Sequence, residues 1–293
     1  MPPLELTELT ELGPAAQAEL SAPPPAHPPV PLAGRFAAWR RRWPTALSVG
    51  GLLLLWWAAS AGGLVSPLFL PGPAQVAARL ADLAVNGFMD ASLWRHAAAS
   101  LGRVGLALLL AAATAVPLGM LMGLSRRAHA ALDPLIEFYR PVPPLAYLPL
   151  IVIWFGIGEA SKVLLIYLAI FAPLAIATAA GVRRADPARL QAARSLGASR
   201  GQLLRLVVLP SALPEILTGL RIGLGIGWST LVAAELVAAT RGLGFMVQSA
   251  AQFLVTDAVI AGILIIAWIA LALELGLRWA ERRFAGWATP ERF

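Results

Sequence analysis

The sequence predicts an all-α, polytopic membrane protein with six transmembrane helices and both termini in the cytoplasm. Three observations predict it. Of the 293 residues, 58% are hydrophobic and only 13% charged, about half the charged share usual in soluble domains. The apolar residues fall into runs of about twenty, and twenty helical residues rise ~30 Å, the depth of one hydrocarbon core. The basic residues collect beside alternate ends of those runs, the pattern that fixes orientation in a membrane.

Taken in order, residues 1–44 read as a disordered cytoplasmic tail. Glu5, Glu8, Glu11 and Glu19 precede a proline-rich run from Pro23 to Pro31, and the tail closes on Arg40, Arg41 and Arg42. It holds too little apolar surface to offset its ordering entropy. Its acidic start, with no apolar core, is unlike a cleavable signal peptide. The membrane domain is expected over 45–285. Its first span is 46–65, free of charge and held at its start by the arginines. Residues 66–103 read as a long polar connection, opened by Pro67, Pro71 and Pro73, and the second span as 104–124. The third, 132–156, contains Asp133, Pro134, Glu137, Arg140, Pro141, Pro143, Pro144 and Pro149. Interior prolines remove backbone bonds and clash with the preceding turn, so this span should be broken. Spans at 163–182, 215–238 and 258–277 complete the set, and residues 286–293 form a cytoplasmic C-terminus. With this topology sixteen of the 23 basic residues fall inside. Five fall outside: Arg79, Arg95, Arg103, Lys162 and Arg241.

The net charge of +7 is thus explained by orientation, and no nucleic-acid partner is expected. Cysteine is absent and the three histidines are far apart, which argues against a metal site. Nor is there a GxxxxGK[ST] phosphate loop; the one lysine, Lys162, follows Glu159-Ala160-Ser161. The chain by itself is not expected to be an enzyme.

The loop at 186–210 carries the clearest local design. Asp186 is a good N-cap and Pro187 suits the first helical position. Gly197 suits a left-handed helix end, and Ser199 can cap a second short helix that Leu209-Pro210 should stop. The product is a helix–glycine–helix hairpin, fit either to enter a groove on a partner or to rest on lipid headgroups through its arginines. In the fifth span Gly219, Gly223 and Gly227 recur every four residues, a stripe that lets another helix approach. It suits a dimer interface or packing within one subunit. Candidates for a solute pathway are the polar residues Glu235, Ser229 and Thr230 with Arg140 of the broken span. A carboxylate at helix centre costs about 2.5–3.5 kcal/mol to insert. Glu235 therefore either faces a wet cavity or has a structural partner, for which Arg241 and Arg140 are the candidates. Glu274, one turn from Arg278, suits a plain i,i+4 pair.

The hairpin also has a recognisable spacing. Gln191-Ala192-Ala193, three residues, Gly197, nine residues, Val207, one residue and Leu209-Pro210 resembles the "EAA" loop of ABC importer permeases, with Gln191 in place of the acidic residue and Val207 in place of isoleucine. The stretches SPLFLPGPAQV from Ser66, GFMDASLWRH from Gly87, EFYRPVPPLAYLPLIVIWFGIGEASKVLLIYLAIFAP from Glu137 and LPEILTGLRIGLGIGWSTLVAAELVAATRGLGFMVQSA from Leu213 resemble the sulfonate/nitrate/taurine branch of that family, over about residues 45–285. The resemblance implies a type I ABC importer permease fold in a bacterial inner membrane. It implies a homodimer of permease subunits, two cytoplasmic ATPase subunits that bind ATP and magnesium, and a periplasmic solute-binding protein. It implies that Gln191, Ala192, Ala193, Gly197, Ala198, Leu203, Leu209 and Pro210 make or shape the contact with the ATPase. The solute it implies is taurine or a related sulfonate, with aliphatic sulfonates or nitrate as alternatives. A secondary transporter, a different class, would show internal repeats and buried groups for ion coupling; no repeat is present and such groups are few.

Overall fold

The computed structural model describes residues 34–63 and 65–288. Among these the chain is helical throughout, and strand-like pairing is confined to an isolated bridge between Phe88 and Ala91. The chain divides into two compact units after Leu55. In the first, residues 34–55 form most of helix α1 (Gly34–Ala61). The tail expected over 1–44 therefore needs correction at 34–44, which is helical; residues 1–33 lie outside the described residues, as do 289–293 of the C-terminus. The apolar part of α1, Leu47–Ala61, is shorter than the apolar helices that are long enough to cross a membrane by themselves.

The second unit, residues 56–293, holds α2 (Pro73–Val85), α3 (Leu93–Leu124), α4 (Arg126–Tyr139), a 3-10 turn (Pro144–Tyr147), α5 (Leu148–Phe155), α6 (Glu159–Arg183), α7 (Pro187–Ser195), α8 (Arg200–Leu203), a π-turn (Leu204–Val208), α9 (Leu209–Ala238), α10 (Leu243–Gln252) and α11 (Thr256–Ala285). Among the described residues four stretches are long and apolar enough to cross a membrane: Leu93–Leu124, Glu159–Arg183, Arg200–Val237 and Thr256–Ala285. The α4 and α5 segments qualify together, bent by 85°. This is the broken span the prolines demand, but the break falls at 140–143. Pro134 lies inside α4, which starts at Arg126 rather than 132.

The second apolar helix starts eleven residues before the expected 104. Ser92 caps α3, its hydroxyl accepting from the Arg95 amide. His96, Ser100 and Arg103 then recur at i, i+4 and i+7, so they share one face. All three are buried against the rest of the unit. Hydropathy placed them in a loop because their polarity is satisfied by protein, which a window average does not see. Within the rest of the former loop, Arg79 of α2 donates to Asp257 at the start of α11 (3.0 Å) and to Asp82 (2.9 Å). The Asp257 hydrogen bond holds the Arg79 guanidinium above its ordinary pKa, and Asn86, then Arg79, hold the Asp82 carboxyl below its own.

The central helix is α6. Half of its apolar window is buried, against 28% or less for the other crossing helices. Close approach on both sides explains the difference. A Cβ at Gly119 or Gly123 of α3 would meet Thr178 or Val182 of α6 at 2.6 and 2.5 Å. On the opposite flank, a Cβ at Gly219 would meet Ala177 at 2.6 Å, and at Gly223 and Gly227 it would meet Ile170 at 2.9 and 2.7 Å. The glycine stripe of α9 is therefore filled by α6 of the same chain. Packing within one subunit is its role, and the dimer-interface alternative is corrected.

The expected stop at Leu209-Pro210 is also corrected. Pro210 directly follows the π-turn, which carries the chain on from α8 into α9 without a stop. Arg200–Val237 runs as one stretch of 38 residues. The fifth crossing accordingly starts well before 215.

Candidate functional site

Two parts of the second unit concentrate polar chemistry, and α9 reaches both. At its Leu209 end is the hairpin. Asp186 accepts from the Ala188 amide at 2.8 Å and so caps α7. Gly197, at φ +82°, ends it: the Gly197 and Ala198 amides donate back to Arg194 and Ala193 carbonyls at 2.9 and 3.1 Å. Ser199 and Gln202 then form a reciprocal capping box on α8, with the Ser199 amide donating to Gln202 Oε1 at 2.8 Å. No residue of α7 or α8 is buried, and Leu196, beside the glycine turn, is 89% exposed. Of the residues singled out in the loop, Gln191 and Ala192 are exposed, Ala193 and Ala198 half-buried, and Gly197 exposed at the apex. Leu190 and Leu204 pack back onto the core, whereas Leu196 stays exposed.

At the Glu235 end is a cluster of ionisable side chains. Glu235 is fully buried. Its carboxylate accepts from Arg103 Nη1 at 2.5 Å, from Ser100 Oγ at 2.8 and 3.0 Å, and from the Gly244 amide at 2.8 Å. Arg103 also donates through Nη1 to the Arg241 carbonyl (2.8 Å) and through Nε and Nη2 to Glu159 (2.5 and 2.8 Å). Lys162 completes the set, Nζ to Glu159 Oε1 at 2.9 Å. Ser100 Oγ in turn accepts from the Leu243 amide, and His96 Nδ1 lies against the Gly242 backbone. Gly242, at φ +136°, is required here, because a Cβ would land on the Glu235 carboxylate. A buried charge persists only when paired and hydrogen-bonded, and here both conditions are met from three helices and the α9–α10 turn.

The expected partner of Glu235 is thereby corrected. Neither the Arg241 side chain nor Arg140 pairs with it; Arg103 does. Arg140 pairs with Glu137 at 3.2 Å and lines a separate, largely apolar cavity of about 370 Å³ with Tyr139, Tyr147 and Ile222. Ser229 and Thr230 return their hydroxyls to the Gly225 and Ile226 carbonyls of their own helix. The four pathway candidates are thus not brought together. Glu274 pairs with Arg278 at 2.8 Å as expected, and Arg221, paired with Glu281 at 3.1 Å, joins them. Arg103 was missed as a site residue, although the i, i+4, i+7 spacing of His96, Ser100 and Arg103 pointed to it. A cavity of about 560 Å³ opens beside the cluster, lined by Asp90, His96, Arg103, Glu159, Thr240 and Arg241 among others. Among the described residues no three His, Cys, Asp or Glu side chains come together as metal ligands.

Comparison with known proteins places this architecture. The chain is 62% identical over 254 residues to the taurine transport system permease protein TauC of Escherichia coli (strain K12), covering 84% of this chain and 92% of that one. It is 37% identical over 249 residues to the putative aliphatic sulfonates transport permease protein SsuC of Bacillus subtilis (strain 168), covering 85% and 89%. Among solved structures, an inward-facing conformation of the MetNI methionine ABC transporter matches with a TM-score of 0.57 at 17% identity, over 68% of this chain and 96% of that chain, which shows a shared fold. A family model matches residues 115–286, the part that carries α6, the hairpin, α9 and the Glu235 carboxylate. The chain belongs to the family of binding-protein-dependent transport system inner membrane components.

Proposed function

We propose that this chain is the permease subunit of an ABC importer that moves taurine, or a closely related sulfonate, from periplasm to cytoplasm by alternating access. The observation that carries the reading is the 62% identity to a taurine permease across nearly the whole apolar region. In the proposed assembly two copies of the chain span the inner membrane, each with six crossings and both termini in the cytoplasm. The sixth crossing is supplied by the apolar part of α1. Two ATPase subunits bind ATP and magnesium, and a periplasmic binding protein delivers the solute. The hairpin Pro187–Leu203 is the contact with the ATPase. What supports that role is its exposure, its rigid glycine turn and its direct continuation into α9. Selectivity among sulfonates is shared with the binding protein, and the 37% identity to an aliphatic sulfonate permease keeps that solute class as the second reading.

Uptake of radiolabelled taurine by cells with and without this chain tests the proposal. Uptake should require the chain and collapse on ATP depletion. Uptake that survives ATP depletion but falls with the ion gradient would replace the ABC reading by a secondary transporter. ATP-dependent uptake of alkanesulfonates without taurine would select the second reading.

A further inference from the structure

Charge and exposure are unevenly shared in the Arg103 cluster. The side chains of Arg103 and Lys162 are 6% and 5% exposed, that of Glu235 is 0% exposed, and that of Glu159 is 62% exposed. The buried members are thus two cations and one anion. The charge that balances them belongs to the one member with room to move. Arg103 commits Nη1 to Glu235 and the Arg241 carbonyl; Nε and Nη2 go to Glu159. The Lys162 ammonium also goes to Glu159. One edge of a guanidinium and an ammonium therefore converge on a single carboxylate at the wall of the 560 Å³ cavity. That is the geometry of an anion site, since a planar guanidinium edge grips two oxygens at once. Asp90 and Arg241 line the same cavity, and neither side chain forms an ion pair among the described residues.

We infer that Glu159 occupies a solute site in the absence of solute. A sulfonate takes the place of its carboxylate on Arg103 and Lys162, and the displaced Glu159, with Asp90, receives a cationic group on the same solute. A sulfonate offers three oxygens, two for the guanidinium edge and one for the ammonium. The exchange favours a zwitterion. A simple anion adds a net negative charge to a cavity that already holds Asp90 and the displaced carboxylate, whereas an aminosulfonate is neutral overall and leaves the charge of the cavity unchanged. The inference rests on the sulfonate reading of the function and adds to it a place of contact and a reason to prefer aminosulfonates over nitrate.

The test uses the absence of native cysteine. T240C puts one thiol on the cavity wall. The full chain, purified with the ATPase subunits that co-isolate with it, is reconstituted in phosphatidylcholine vesicles without binding protein. Its labelling rate with a polar maleimide is then measured against taurine, ethanesulfonate and nitrate. Taurine should slow labelling at a concentration about tenfold lower than ethanesulfonate does, and nitrate should act least. Adding E159Q should tighten ethanesulfonate protection about tenfold and remove the advantage of taurine, because no displaced carboxylate then needs a counter-charge. Absence of protection by either sulfonate, equal protection by both in the protein with Glu159 intact, or protection that follows added phosphatidylglycerol rather than solute would each overturn the inference. If E159Q does not assemble, the T240C protein alone decides through the taurine-to-ethanesulfonate ratio. Taurine uptake by cells in the face of no protection sinks the site and leaves the function standing. Protection without uptake does the reverse.

Discussion

The two ends of α9 are built on opposite principles. At the Glu235 end the central carboxylate is held by Arg103 and Ser100 of α3 and by the Gly244 amide of α10, and it is out of reach of water. At the Leu209 end the hairpin leans on its own caps, buries no residue of α7 or α8, and presents Leu196 outward. The first end is stabilised from within the chain. The second is shaped by its own caps but uncovered. One helix thus joins a region whose loss should be felt as instability to a region whose loss should be felt as failure of coupling.

The sharpest way to break that contrast is Glu235→Ala. It leaves the Arg103 guanidinium with one counter-ion and strips Ser100 and the Gly244 amide of their acceptor. Removing one partner of a buried pair costs about 3–5 kcal/mol. The variant should lose most of its folded yield, read as monodisperse protein after detergent extraction and as a lower Tm. A wild-type Tm would show that the cluster does not stabilise the fold.

Gly197→Asp comes next and should separate the two ends. It forces a side chain to adopt φ +82° and adds a charge at the apex, a local strain of about 1–3 kcal/mol. Since the strain falls in an exposed hairpin whose two helices bury no residue, the Tm should fall much less than for Glu235→Ala while taurine uptake falls severalfold or more. Normal uptake would remove the hairpin from the coupling path.

Gln191→Glu is the smallest change. It supplies the acidic residue that the EAA spacing carries elsewhere, at an exposed position where a new ion pair contributes about 0–1 kcal/mol. Uptake should change by less than about threefold in either direction. A larger gain would mean that the ATPase partner retains a basic residue for this position.

The hairpin was legible in the sequence because its instructions are local. Asp186, Gly197, Ser199 and Gln202 each act on a backbone group within five residues. The break in the third span was legible for the same reason, since prolines act on their own turn, although the exact site of the bend was not. The Glu235 cluster was legible only in part. An isolated carboxylate in an apolar run draws notice, but its partner lies 132 residues away in a stretch whose average polarity resembles a loop. Local pattern cannot say which of several distant cations closes such a pair; packing of three helices decides it. The glycine stripe illustrates a further limit. Spacing shows that a helix comes close, and only the fold shows that the neighbour is Ile170 of the same chain.

The π-turn at Leu204–Val208 sets the phase between these regions. A turn of this kind holds one residue more than an α-turn over nearly the same sweep about the axis, so it absorbs that residue and keeps the helix before it in phase with the helix after it. Removing one of its five residues should restore regular α geometry with α7 and the Ile170 contacts still nearly in phase, whereas removing a residue from the regular helix after it would swing the hairpin by about 100° around α9. The direction in which the hairpin is presented is therefore buffered at these five residues and sensitive to length everywhere else along the run from Arg200 to Val237.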